Sequence, residues 1–310
     1  MKNELHVIFG TGPVGCWIAR VLCEMGMQVR AVNRSGKRPK LMPDEVELVV
    51  ANLMDAKEAH NAAKGASVIY QALNPPYHLW HKYFPTLQAN TLEVAKRIDA
   101  RYVSIDNLYM YDTSKVITEN SLIAPRSKKG QLRAQMAQEV MDAHKRGDVQ
   151  ATILRSSDYY GPGVINAAMG GMVFDNLMAN KKAQIMGDDN VLHSWAYIED
   201  VAKSAVMLGT RDDVLGQVWI TPHDKALTQK EMITLTSKLL DSKPDIQKIS
   251  PILMRVIGLF VPTIRASFEM LYEFTEPFIV DSSKIEQKLK LEPTPIKLGI
   301  EKTVAWYREI

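Results

Sequence analysis

The chain has 310 residues, 46% of them hydrophobic and 24% charged, with a formal net charge of +3. That composition belongs to a soluble globular protein with a substantial core, and so small a net charge gives no general affinity for nucleic acid or an acidic membrane. The length accommodates a large domain and a smaller one. Cys16 and Cys23 are the only cysteines. They stand seven apart on the first predicted helix, too far for a disulfide and too few for zinc, and read as small core residues in a reducing compartment. No secretory signal is expected ahead of the first strand, and no apolar segment reaches the roughly 18 residues of a membrane span. A cytoplasmic protein is expected.

His6–Phe9 is a short apolar run that reads as a buried strand. It enters Gly10-Thr11-Gly12-Pro13-Val14-Gly15, and a helix pattern follows from Pro13 to about Met25. Strand, glycine turn and helix together form the G-x-G-x-x-G fingerprint of dinucleotide binding. Gly10 permits the turn, Gly12 lets the backbone approach a pyrophosphate, and Gly15 lets the helix pack on the strand. The helix N-terminus then offers free N–H groups to phosphate. Gln28–Val32 is the second strand, followed by Asn33 and Arg34. A site for NAD carries an acid at this place, whereas Arg34 can fork onto a 2′-phosphate, so NADP(H) is expected in preference to NAD(H). Lys37 and Arg38 read as a solvated loop.

Val46–Val50 is the third strand, and Asn52-Leu53 after it are placed where an adenine edge is met. Asp55–Ala63 reads as a helix with Asp55 as N-cap and Glu58 in a capping box. Ser67–Leu73 is the fourth strand, and Ala72, Leu73 and Asn74 at its end are expected beside the dinucleotide. Tyr77 and His78 follow Pro75-Pro76 in a loop that faces the substrate; His78 and His81 lack a carboxylate partner, and no metal site is expected. Thr86–Ile98 is a helix, Arg101–Ile105 the fifth strand, Lys129–Lys145 a long helix and Gln150–Leu154 the sixth strand. This alternation means an α/β fold: a doubly wound parallel sheet of Rossmann type.

After Gly161-Pro162-Gly163 the rhythm changes. Asn166–Asn180 is read as helix, Trp195–Tyr197 and Val218–Ile220 as short strands, and Glu199–Leu208 as the helix between them. Thr228 and Glu231 form a capping box opening a helix to about Leu240. The rest is helix broken by prolines. The apolar run around Ile252–Val261 is assigned to a lid and not to a membrane anchor, because Arg255 interrupts it. The expected division is residues 1–165, also receiving 190–222, as the dinucleotide domain, with 166–189 and 223–310 as a smaller, mostly helical substrate or lid region.

These pieces together resemble an extended or atypical short-chain dehydrogenase/reductase of the NAD-dependent epimerase/dehydratase family, over nearly the whole chain. The matching segments are the Gly10–Gly15 turn, Asn90-Thr91 in the fourth helix, Ser104–Tyr109, Leu154-Arg155 with Tyr160–Gly163, Tyr197–Ala202 and Thr303–Tyr307. The resemblance implies a small-molecule substrate and a homodimer through Thr86–Ile98 and Lys129–Lys145. It places Asn90, and Ser156 after the sixth strand, at the cofactor. It also implies a catalytic Tyr-x-x-x-Lys, and here the sequence departs: Lys129 stands for the tyrosine and Arg133 for the lysine. Arg133 can still hold the nicotinamide ribose, but a guanidinium cannot act as an acid at physiological pH.

Candidates to replace the tyrosine are Tyr109 and Tyr111, with Lys129 nearby, and Asp106, which can orient a hydroxyl or cap the following turn. Asp158, Tyr159 and His193 are assigned to a substrate cavity with Tyr77 and His78. The leading expectation is an NADP(H)-dependent oxidoreductase or epimerase with an atypical proton donor. The alternatives are a non-catalytic NADP(H)-binding or sensing protein, and a non-redox lyase or isomerase.

Overall fold

The computed structural model describes residues 4–309. Two compact units emerge: Met1–Tyr109, Lys129–Arg155 and Val201–Trp219 form one, and Met110–Lys128, Ser156–Asp200 and Ile220–Ile310 the other.

The first unit is built on β1 (Leu5–Phe9), α1 (Pro13–Glu24), β2 (Gln28–Asn33), β3 (Glu47–Val50), α2 (Ala56–Ala62), β4 (Ala66–Gln71), α3 (Trp80–Ile98), β5 (Arg101–Asp106), α4 (Lys128–Lys145) and β6 (Ala151–Arg155). A seventh strand, β7 (Val218–Ile220), completes a sheet ordered β7-β6-β5-β4-β1-β2-β3. The strands from β3 to β6 pair in parallel. Both sheet faces are covered, so the central strands are apolar runs without alternation; every residue of β6 is buried. Val7, Phe9, Ile69, Tyr102, Val140 and Ile153 share one core. The doubly wound sheet expected from the strand–helix alternation is present.

The turn after β1 is dictated by backbone crowding. Gly10 has φ +107°, and a Cβ on it would meet the Ala72 carbonyl oxygen at 2.7 Å. A Cβ on Gly15 would stand 2.0 Å from the Gly10 carbonyl oxygen, whereas one on Gly12 would meet nothing within 4 Å. Two of these glycines are therefore required by the protein's own packing, and the third is not.

Several elements differ from the sequence expectation. α3 starts at Trp80, six residues before Thr86, with Pro85 inside it. Its buried face runs unbroken through Trp80, Phe84, Gln88 and Thr91 while Pro85 is exposed, so packing outweighs the lost hydrogen bond. At α2, Asp55 caps the N–H groups of Lys57 and Glu58, but Glu58 reaches back to the Asn52 N–H (2.7 Å), so the capping box is not formed. Around residue 170 the helix covers only Gly171–Met178, because the chain first turns back with Gly171 N–H donating to the Ile165 carbonyl. Cys16 is buried as expected, whereas Cys23 is half-buried.

The second unit contains α5 (Gly171–Met178), α7 (Gln229–Leu239), α8 (Pro251–Phe260), α9 (Pro262–Ser267), α10 (Ser283–Leu289) and α11 (Ile296–Glu309); α6 (Ile198–Gly209) precedes β7. Thr228 and Glu231 cap α7 reciprocally, forming the expected box. Phe174, Trp195, Tyr197, Met232, Ile300 and Tyr307 form its core. Residues 110–128, 156–165, 190–200 and 220–222 group here and not with the dinucleotide domain to which they were assigned. After Arg155 the chain leaves the large sheet until β7: Tyr159–Tyr160 pairs with Ala196–Tyr197, and Ile117 N–H donates to the Ile279 carbonyl.

Substituting the two kinds of glycine should separate folding from binding. Gly15→Ala is expected to lower unfolding free energy by about 3 kcal/mol or more in urea titrations. Gly12→Ala should change it by less than about 1 kcal/mol while weakening dinucleotide binding.

Candidate functional site

The glycine turn, Asn33 and the end of β4 come together in the first unit. Gly10 N–H donates to the Val32 carbonyl at 3.1 Å, and Ala72 N–H donates to the Phe9 carbonyl at 2.9 Å. Gly12 caps α1 with no side-chain hydrogen bond, Pro13 is its first residue, Val14 is buried, and no acid lies in the first turn. The helix N-terminus is thus left with unpaid donors and open space over Gly12. A dinucleotide pyrophosphate fits this cradle, with Thr11, Gly12 and the start of α1 as the residues that would hold it.

Asn33 has a different task from a ribose ligand alone. Its Nδ2 donates to Thr11 Oγ1 (3.0 Å) and to the Lys37 carbonyl (2.9 Å), and its Oδ1 accepts from Gly36 N–H. It ties the loop after β2 to the glycine turn. Arg34 beside it is exposed. Arg38, read as merely solvated, donates to the Pro43 and Val46 carbonyls and so braces its own loop. Asn52 is exposed and Leu53 buried. Asn90 Nδ2 donates to the Leu53 carbonyl (2.9 Å), which fixes the β3–α2 connection. Leu73 is half-buried and Asn74 exposed.

At the carboxyl end of β5 one buried carboxylate meets two guanidiniums. Asp106 Oδ1 accepts from Asn107 N–H and from Arg133 Nε (2.6 Å), and its Oδ2 accepts from Arg155 Nε (3.2 Å). Arg133 also donates to the Ile105 carbonyl. All three side chains are nearly fully buried. Asp106 and Arg133 are thus paired with each other, because a buried carboxylate and a buried guanidinium are stable only when paired.

α4 lays its cations on aromatic faces. Lys129 Nζ is 4.5 Å from the Tyr77 ring centroid, and the Arg133 guanidinium is 4.9 Å from that of Phe84. Tyr77 packs edge-on against Trp80, and Tyr109 stacks on Trp80 at 6.1 Å. Tyr109 is half-buried and Lys129 buried, while His78 is exposed. Trp80 and Phe84, the bed of this arrangement, were missed in the sequence because Pro85 hid the start of α3.

Asp158, Tyr159 and His193 lie in the second unit. His193 is buried between Phe274 and Phe278, both stacked at 5.1 Å. Its Nε2 is 3.0 Å from Asp158 Oδ2 and 3.3 Å from Ser157 Oγ, and its Nδ1 is 3.1 Å from the Glu273 carbonyl oxygen. Glu273, another residue missed in the sequence, is buried with Oε1 lacking a hydrogen-bond partner. Burial, reinforced by the Asp158 charge, pushes its carboxyl well above the usual range. The only sequence signal was an acid inside the apolar run Met270–Phe274. Ser156 Oγ is paired with Thr221 Oγ1 at 2.6 Å. Among the described residues, no three His, Cys, Asp or Glu side chains are grouped to hold a metal ion.

A family model described as the NAD dependent epimerase/dehydratase family matches residues 7–219. The chain belongs to that family. The chain is also similar to two curated relatives named dTDP-glucose 4,6-dehydratase. The one from Neisseria gonorrhoeae is 22% identical over 217 residues, 66% of this chain and 58% of the relative. The one from Haemophilus influenzae is 24% identical over 247 residues, 77% of this chain and 67% of the relative. The chain thus spans less than two thirds of the first relative's length. In fold it is similar to the UDP-glucose 4-epimerase of Thermus thermophilus in complex with NAD, with a TM-score of 0.80, 14% identity, and 98% and 99% of the two chains covered. The family resemblance read from the motifs is correct.

Titration should expose the buried groups. Burial holds His6 and His223 down to about 4, so the folded state keeps them neutral where the unfolded chain is protonated. Their contribution is present above pH 6.5 and lost as pH falls toward 4, on the order of 3 kcal/mol each. Glu273 has the opposite sign: the folded state keeps its proton, so the penalty grows as pH rises above the ordinary glutamate value of 4.5. Glu273→Gln should therefore match the wild type in thermal midpoint near pH 4 and exceed it increasingly toward neutral pH; a constant difference would contradict the assignment.

Proposed function

We propose that this protein binds NADP(H) and exchanges hydride with a hydroxyl-bearing or carbonyl carbon of a small substrate, as an oxidoreductase or epimerase. The observation that carries the reading is the cradle at Gly12: open space, free helix donors and no acid in the first turn of α1. When bound, the nicotinamide supplies or accepts the hydride, and the protein's part is binding and orientation. Sugar nucleotides are the favoured substrate class, because the relatives are named for dTDP-glucose and the structural neighbour for UDP-glucose.

Preference for the 2′-phosphate is supported by the neutral amide of Asn33 where an NAD site has an acid, and by exposed Arg34 next to it. Tyr109 is the proposed proton-transfer group. Its support is position: it follows β5, it is half-buried, and it stacks on Trp80 in the same aromatic set that carries Lys129. Lys129 would act as a fixed positive charge against that wall, and Asp106 as a positioning residue that holds Arg133 and Arg155. The commitment of Arg133 to Asp106 favours a second reading, in which NADP(H) is held or sensed without turnover.

Fluorescence titration with NADPH and NADH tests the nucleotide reading. Wild-type protein should prefer NADPH, and Arg34→Asp should weaken NADPH by about tenfold or more and shift the ratio toward NADH; an unchanged ratio overturns the role of Arg34. In a screen of sugar nucleotides and small carbonyl compounds, Tyr109→Phe should abolish turnover and leave nucleotide affinity within about twofold. Full turnover in that variant removes Tyr109 from the reaction, and nucleotide binding without turnover on any substrate favours the sensing reading.

A further inference from the structure

The segment from Ser250 to Ser267 forms two consecutive helices, α8 and α9, with an unusual distribution of side chains. On α8, Ile252 is 74% exposed, Val256 51%, Leu259 73% and Phe260 82%. At 3.6 residues per turn these four fall on one arc of the helix, and Met254 and Gly258 on the opposite, buried side. α8 and α9 are close-packed: a Cβ on Gly258 would stand 3.2 Å from Arg265 Cα. Val261, at the junction, is 39% exposed. The arrangement is a short helical hairpin that buries Met254 and Gly258 and presents an apolar arc outward.

The charges of the segment are all of one sign. Between Ser250 and Ser267 there is no aspartate or glutamate, and the two charged residues are Arg255 and Arg265, both exposed. Read linearly, Arg255 interrupts an apolar run; read in the helical frame, it stands at the rim of the exposed arc, one turn from Ile252 and Leu259. The guanidinium rests 5.1 Å from the Phe268 ring centroid.

We propose that the α8–α9 hairpin docks on the surface of an anionic phospholipid bilayer, with Ile252, Val256, Leu259 and Phe260 entering the interface and Arg255 and Arg265 meeting the headgroup phosphates. Two observations select this occupant. Within Ser250–Ser267 both charged side chains are cations, which complements a negative lipid surface. It is also too small for a second copy of the chain: five exposed apolar side chains compare with roughly 20–30 residues a side in a stable protein interface. The association is peripheral, since no helix among the described residues is long and apolar enough to cross a membrane. It is independent of the nucleotide reading.

Flotation of the full-length protein with vesicles provides the test. Phosphatidylcholine vesicles containing about 30% phosphatidylglycerol should carry the protein at low salt, and pure phosphatidylcholine should carry several-fold less. The double variant Leu259→Glu/Phe260→Glu, at positions already exposed to water, should keep the wild-type thermal midpoint and lose binding by about tenfold or more. Arg255→Glu/Arg265→Glu should abolish the preference for the anionic vesicles. A single reporter, Phe260→Trp, should shift its emission to the blue on anionic vesicles. Absence of binding to either vesicle overturns the proposal, as does equal binding by the Leu259/Phe260 variant. So does sedimentation as a dimer that this variant converts to monomer, which would assign the patch to a second copy.

Discussion

One carboxylate organises the middle of the first unit. Asp106 ends β5, and its two oxygens take Arg133 from α4 and Arg155 from β6. Three elements are thereby joined by charge at a point where water is excluded. Removing one partner from such a group typically costs about 3–5 kcal/mol, because the charge left behind is buried and unpaired. The constraint reaches further than its own contacts. With Arg133 held, the facing turn of α4 is fixed, Lys129 four residues earlier is set over Tyr77, and the rings of Tyr77, Trp80, Phe84 and Tyr109 pack around the two cations.

The nucleotide cradle rests on a constraint of another kind. The Gly10–Gly15 turn is set first by backbone crowding. Gly10 and Gly15 are required because β1, β4 and α1 approach one another more closely than a Cβ allows. Gly12 is not required by packing, since a Cβ there would meet nothing within 4 Å. The polar residues nearby serve mainly to hold the loops around this cradle. Asn33 fastens the β2 loop to Thr11, Arg38 braces that loop from within, and Asn90 holds the next one by the Leu53 carbonyl. Arg34 is left exposed among these braced residues.

The second unit concentrates what the family resemblance does not predict. His193, Asp158 and the buried carboxyl of Glu273 form a titratable group enclosed by Phe274, Phe278 and Trp195. The α8–α9 hairpin reverses the usual arrangement of an amphipathic helix, placing its large apolar residues outward. Both features come from sequence stretches that, read linearly, look like ordinary core: an acid among hydrophobic residues, and an apolar run with one arginine.

The sequence by itself determined the strand–helix alternation, the Rossmann-type sheet, the dinucleotide turn and the α7 capping box. Each of these depends on residues adjacent in the chain, where periodicity, backbone freedom and capping act directly. It also established that α4 lacks the tyrosine and lysine of its family, since a missing residue type needs no structure to be seen. Tertiary structure decided the rest. Only packing showed that α3 runs through Pro85, because the energy that offsets the lost hydrogen bond comes from Trp80 and Phe84 against other elements. Only the fold brought Asp106, Arg133 and Arg155 onto one another across as many as 49 positions of sequence, and turned a candidate catalytic acid into the centre of an ion-pair cluster. The partition after Tyr109 and Arg155, and the isolation of Glu273, were likewise settled by which surfaces bury each other. Such long-range electrostatics and burial have no local period, and for that reason they left no pattern in the sequence to read.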